Sequence, residues 1–113
     1  MSLTVGQVIN ELMSLAYNTR IYVMYRFTMY YVLSFDNHTL SLDITIRRMP
    51  VGLEVNTKLI KDLENLIVPE NNTKELLVRF YDNGTLNIFS VSNLNTDRYT
   101  TEGILILNII PHS

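Results

Sequence analysis

Few residues in this chain could do chemistry, and they are scattered. His38 and His112 are its two histidines. His38 lies two residues from Asp36, and an Asp–His pair can tune a general base. The segment Asp36-Asn37-His38-Thr39 is rich in turn-forming residues, so the pair reads as solvated. Two isolated histidines without clustered carboxylates make no metal site. Cysteine is absent, which excludes disulfides, thiolate metal sites and a cysteine nucleophile, and fits a reducing compartment. The four glycines are not spaced as a phosphate-binding loop. The expectation is a non-enzymatic protein with no catalytic residues, no cofactor and no metal.

One constellation rises above this background. From Arg20 to Phe35 the odd positions are all apolar or aromatic, while the even positions include Arg20, Tyr22, Arg26 and Tyr30. Period two argues for a strand with two unlike faces. Sixteen residues in one straight strand would span roughly 50 Å, too long for a small domain, so a bend near Arg26–Thr28 is expected. A four-residue loop at 36–39 then sets Phe35 opposite Leu40 and Tyr31 opposite Ile44. In that register Arg47 joins Arg20, Tyr22, Arg26 and Tyr30 on the second face. Tyr and Arg are enriched at protein interfaces, and they also stack on single-stranded bases. These five residues are the candidate partner-binding site.

The elements that would position this face can be read around it. The chain has 113 residues, 47% hydrophobic and 18% charged. This composition suits one folded domain, residues 1–113, with a core of its own. Val5, Val8, Ile9, Leu12, Leu15 and Ala16 recur at helical spacing behind Thr4-Val5-Gly6-Gln7, a capping-box pattern, and predict a helix over 5–17. Asn56 and the apolar set Leu59, Ile60, Leu63, Leu66 and Ile67 predict a second helix over 57–67, stopped by Pro69. Around Asp82-Asn83-Gly84 a two-residue turn would set Asn87 opposite Phe80. A three-residue loop pairs Phe80 with Leu86 and keeps the apolar faces together, so it is preferred. Residues 93–103 read as a polar loop. The predicted order is α-β-β-α-β-β-β: an α+β fold, with a small antiparallel sheet packed with two helices on one side.

The last run, Ile104 to Ile110, is apolar on both faces except at Asn108. One face of a two-layer sheet would be left in water, which predicts a homodimer. Formal net charge is −2, which argues against a protein that grips duplex phosphates. No apolar run is long enough to span a membrane, and the N-terminus lacks the pattern of a signal peptide. A cytoplasmic location follows as an expectation. The glycosylation sequons at Asn37, Asn71 and Asn83 carry no meaning without secretion.

The opening Thr4-Val5-Gly6-Gln7-Val8-Ile9-Asn10-Glu11-Leu12, followed by the strand at Ile21, resembles the start of small uncharacterised phage and prophage accessory proteins. The similarity covers about 20 residues and carries no catalytic residues across. It implies a mobile-element accessory protein that acts in a host cytoplasm by binding a host or phage protein, such as a CRISPR effector it would block. Sequence analysis therefore predicts a protein-binding accessory protein of anti-CRISPR type, with a single-stranded nucleic-acid binder as the alternative.

Overall fold

The computed structural model describes residues 3–112. Six strands close into a barrel in chain order: β1 (Arg20–Tyr25), β2 (Thr28–Asn37), β3 (Ser41–Arg48), β4 (Glu75–Asp82), β5 (Thr85–Asn95) and β6 (Ile104–Pro111). This corrects the expected α+β sheet packed with two helices. Among the described residues one helix of more than a single turn is present, α1 (Val5–Met13); α2 (Tyr99–Glu102) is one turn. Strands β1–β3 and β4–β6 are two antiparallel meanders. They join along two parallel seams, β3 beside β4 and β6 beside β1. A parallel seam needs a long crossover, and residues 49–74 supply it between β3 and β4. That requirement, not a helical period, governs this segment.

The predicted strand over 20–35 is a hairpin. Arg26 and Phe27 both have positive φ, 49° and 64°, and turn β1 into β2 with Tyr25 opposite Thr28. Neither residue favours that conformation, so the length of the run, which placed a bend near Arg26–Thr28, was the signal for this turn and its residues were not. The reversal swaps the parity of inward positions. Ile21, Val23 and Tyr25 point inward on β1, and Tyr30 and Val32 on β2. A bulge at Leu33 swaps the parity back, so that Phe35 pairs with Ile44 and Val32 with Ile46. The second hairpin also differs from expectation. Asn83 and Gly84, with φ of 51° and 81°, form a two-residue turn, and Phe80 faces Asn87. Turn chemistry outweighed the apolar pairing used to reject it.

The lower end of the barrel is plugged. Val5, Val8 and Leu12 of α1 and Ile60, Leu63 and Ile67 of the crossover are buried together in the core. The predicted helix over 57–67 is replaced by an extended stretch at Thr57–Leu59 and a 3-10 turn at Ile60–Leu63. Its extended part has a task. Below Tyr22 the β1–β2 ladder opens, and residues 57–58 fill the gap. Val32 N–H donates to Thr57 Oγ1 at 2.8 Å, and Thr57 Oγ1 donates to the Ile21 carbonyl at 2.5 Å. Lys58 N–H donates to the Val32 carbonyl, and Ile21 N–H to the Lys58 carbonyl. A helix here would leave these strand groups unpaired.

The same device recurs across the barrel. Below Leu77 the β4–β5 ladder opens, and Leu3 fills it: Leu3 N–H donates to the Val91 carbonyl and Leu76 N–H to the Leu3 carbonyl. Helix α1 starts directly behind this contact, at Val5 as expected, and ends at Met13 instead of 17. Gly6 is needed where α1 meets residue 72, since a Cβ on it would lie 3.0 Å from the Asn72 carbonyl oxygen.

Thr57 is buried and serves both strands. Replacing its hydroxyl by a methyl, Thr57→Val, leaves a buried donor at Val32 unpaired and should cost roughly 1–3 kcal/mol. Thr57→Ser should recover most of that loss. Urea unfolding of the three chains checks both values.

Candidate protein-binding face

Two polar clusters on the barrel surface have the residue types of a hydrolase without its geometry. Ser90 Oγ lies 2.9 Å from His112 Nδ1, and Glu75 Oε2 lies 3.7 Å from that same Nδ1. A serine relay needs the two partners on opposite ring nitrogens. In the other cluster Asp43 is fully buried. It accepts from Ser41 Oγ at 2.7 Å and lies 2.6 Å from Arg79 Nε and 3.4 Å from His38 Nε2. The Asp43–Arg79 approach is a charge contact off the hydrogen-bonding direction. His38 thus faces Asp43, not the Asp36 suggested by sequence. The carboxylate stands between Ser41 and His38, a structural pairing and not a nucleophile poised on a base. Among the described residues no group of three or more His, Cys, Asp or Glu side chains is placed to hold a metal ion.

The predicted Tyr/Arg face is built in part. Outward on β1 are Arg20, Tyr22 and Met24. Tyr22 pairs with Tyr31 of β2 and with Ile106 of β6, and Tyr31 pairs with Arg47 of β3. Arg20, Tyr22 and Arg47 therefore share one outer face. Arg26 sits in the turn above it, its guanidinium 5.0 Å from the Tyr25 ring centroid. Tyr30 does not belong to the face: the turn at Arg26–Phe27 sends it inside, where its ring meets Phe80 at 5.1 Å. Tyr31 takes its place. The residues missed by sequence are Met24, Met29, Tyr31 and Met49, which pack over Tyr22, Ile104 and Ile106. Met24 lies on the same strand face as Tyr22, and that spacing was the available signal.

The last strand is corrected too. Leu105, Leu107 and Ile109 fill the barrel, and Ile104 and Ile106 are 3% exposed under the tyrosines and methionines. The bare strand face from which a homodimer was expected is absent. What remains accessible is the half-buried layer of Met24, Met29, Tyr31 and Met49, rimmed by exposed Arg20 and Arg47. Arg20 is held in place by a bond from Nη2 to the Glu102 carbonyl at 2.9 Å. Arg98 pairs with the Glu102 carboxylate and lowers its pKa.

The barrel contains its own control for this face. A half-turn about its axis carries β1, β2, β3 onto β4, β5, β6 in matching register: Tyr22↔Tyr31 falls on Leu77↔Ser90, and Val32↔Ile46 on Val91↔Ile109. Under that rotation Met24 falls on Arg79, Ile106 on Asp43, Ile104 on Ser41, Tyr31 on Ser90 and Arg20 on Glu75. The same backbone thus carries an ion pair on one side and an apolar layer on the other. The fold does not require apolar residues at these outer positions. Comparison with family models, curated proteins and solved structures finds no match to the chain.

Arg79→Met alone strands the buried Asp43 carboxylate. It should cost about 3 kcal/mol, the lower end for a broken buried pair, because a third of Arg79 stays in water. Adding Asp43→Ile copies the residues of the opposite face and should return stability to within about 1 kcal/mol of wild type. Denaturant midpoints of the single and double variants decide it.

Proposed function

We propose that the chain is a non-enzymatic protein-binding module whose contact surface is the outer face of β6, β1 and β2. The supporting observation is the arginine-rimmed layer of Met24, Met29, Tyr31 and Met49, where the half-turn sets Arg79 against Met24 and Ser90 against Tyr31. Met adapts to irregular partner surfaces, and Tyr, Met and Arg are the types favoured at interface cores. The rim arginines select a partner with an apolar centre and acidic edges. The phage-accessory resemblance supplies a setting for such binding: a host cytoplasm, and a host or phage protein as target, a defence effector of CRISPR type among them. A homodimer through this same face is the self-association form of the reading. The single-stranded nucleic-acid alternative is less well supported, since Tyr22 and Tyr30 are buried and offer bases no open ring.

No helix among the described residues is long and apolar enough to cross a membrane.

Tyr31→Ser with Arg47→Glu should reduce partner retention at least tenfold, about 1.4 kcal/mol, in host lysate passed over the immobilised chain. Ile88→Ser on the opposite face should leave it unchanged. Equal retention by all three chains would rule the face out. Binding of labelled single-stranded oligonucleotides that weakens steeply with salt would favour the alternative. Light scattering shows whether a second copy is the occupant.

A further inference from the structure

The half-turn that relates the two meanders extends beyond the strands to the main-chain contacts that fill the two openings. Leu3 N–H binds the Val91 carbonyl as Lys58 N–H binds that of Val32, and Leu76 N–H binds the Leu3 carbonyl as Ile21 N–H binds that of Lys58. Val5 N–H binds the Lys74 carbonyl as Ile60 N–H binds that of Thr19. Gly6 N–H binds the Asn72 carbonyl as Lys61 N–H binds that of Tyr17. Single β-bridges join Thr4 to Glu75 and Leu59 to Arg20. Even the helical starts agree: the Gln7 side chain accepts from Thr4 N–H, and the Asp62 side chain from Leu59 N–H, each at 2.8 Å. At the upper end the ring pairs Tyr25–Phe89 and Tyr30–Phe80 exchange under the same rotation, with centroids 4.8 and 5.1 Å apart.

We infer that the chain is two copies of one unit, a leading segment with a helical turn followed by a three-strand meander, each copy inserting its leading segment into a slot in the other. The slots are strand-addition sites. Each is opened beside a bulge, at Leu33 in one half and Ser92 in the other, where an extra residue ends the regular ladder. What each slot accepts is two extended residues followed by the first residue of a helical turn, whose side chain is buried: Leu3-Thr4-Val5 in one, Lys58-Leu59-Ile60 in the other. In both, the first two residues are half-buried and the third is buried. Recognition of the first two rests on main-chain bonds, which are indifferent to side chains. The two occupants are therefore interchangeable although they share no residue. The halves belong together in a way no chance barrel requires: a symmetric closure leaves both slots filled and neither half complete alone.

The test keeps the full chain. In one variant the occupants trade places: Leu3→Lys, Thr4→Leu, Val5→Ile, Lys58→Leu, Leu59→Thr and Ile60→Val together. It should unfold cooperatively with a Tm within about 10 °C of wild type. Two further variants remove one donor each, Leu3→Pro and Lys58→Pro, so that the Val91 and Val32 carbonyls lose their partners. Each should lower Tm, by similar amounts on the order of 10 °C. Loss of cooperative unfolding in the exchanged chain, while both proline variants still fold, overturns the equivalence of the slots. So does a large loss in Lys58→Pro with none in Leu3→Pro.

Discussion

Two ladders of this barrel stop short, and the strand groups they leave open must be paired by chain from elsewhere. That constraint organises the rest. Buried N–H and C=O groups without partners cost too much to tolerate, so residues 57–58 and Leu3 must be extended where they meet the strands. Once they are extended, the residues that follow them are delivered to the lower rim. There Val5, Val8 and Leu12 from one side and Ile60, Leu63 and Ile67 from the other close the interior. The plug is thus a consequence of the same two openings. The hydrogen bonds set positions, and the apolar side chains set the energy. Each fully buried Leu or Ile contributes roughly 1.5–3 kcal/mol, against about 1 kcal/mol net for a bond.

How much of this was legible depends on whether a signal was local. The start of α1 was, because Gln7 reaches back to Thr4 N–H and the apolar spacing begins at once. The turn at Asn83-Gly84 was legible in its residues, and the local turn preference outweighs the better apolar match of the three-residue loop. The turn at Arg26-Phe27 was legible in its place, from the excess length of the run, but not in its residues. Neither residue favours positive φ, and Phe27 is almost wholly exposed. Tertiary closure imposes that turn: β1 and β2 must both join neighbours, and the chain between them is too short for anything looser. The crossover was misread for a related reason. Leu59, Ile60, Leu63, Leu66 and Ile67 have helical spacing, but the first residues of that run are held by strands on both sides, and only the 3-10 turn at Ile60–Leu63 survives.

The candidate face shows the same division. The chemistry was readable: Tyr and Arg on alternate positions of one stretch. The membership was not, because parity reverses at the turn and reverses again at the bulge. Tyr30 and Tyr31 exchange roles between those two events. An alternation argument is only as good as the assumption that nothing interrupts the strand, and a run apolar on both parities hides every interruption. Here both parities are apolar because β1 and β6 are buried twice, against the barrel interior and beneath the outer layer.

Symmetry separates what the fold demands from what it merely permits. Inward positions related by the half-turn are apolar on both sides: Ile21 with Leu76, Val23 with Val78, Val32 with Val91, Leu42 with Leu105. Packing leaves no alternative there. Outward positions diverge in kind, with Met24 against Arg79 and Ile106 against Asp43. A buried ion pair and an apolar pair of similar volume are close in stability, so stability alone would let either side take either solution. Burial beneath this layer accounts for Ile104 and Ile106, while Met24, Met29, Met49 and Tyr31 above them stay half-buried. Their counterparts, Arg79, Ile88 and Ser90, show that the backbone accepts other residues. A half-buried apolar layer placed between arginines suits the protein contact proposed above, which would use both the apolar centre and the charged edge.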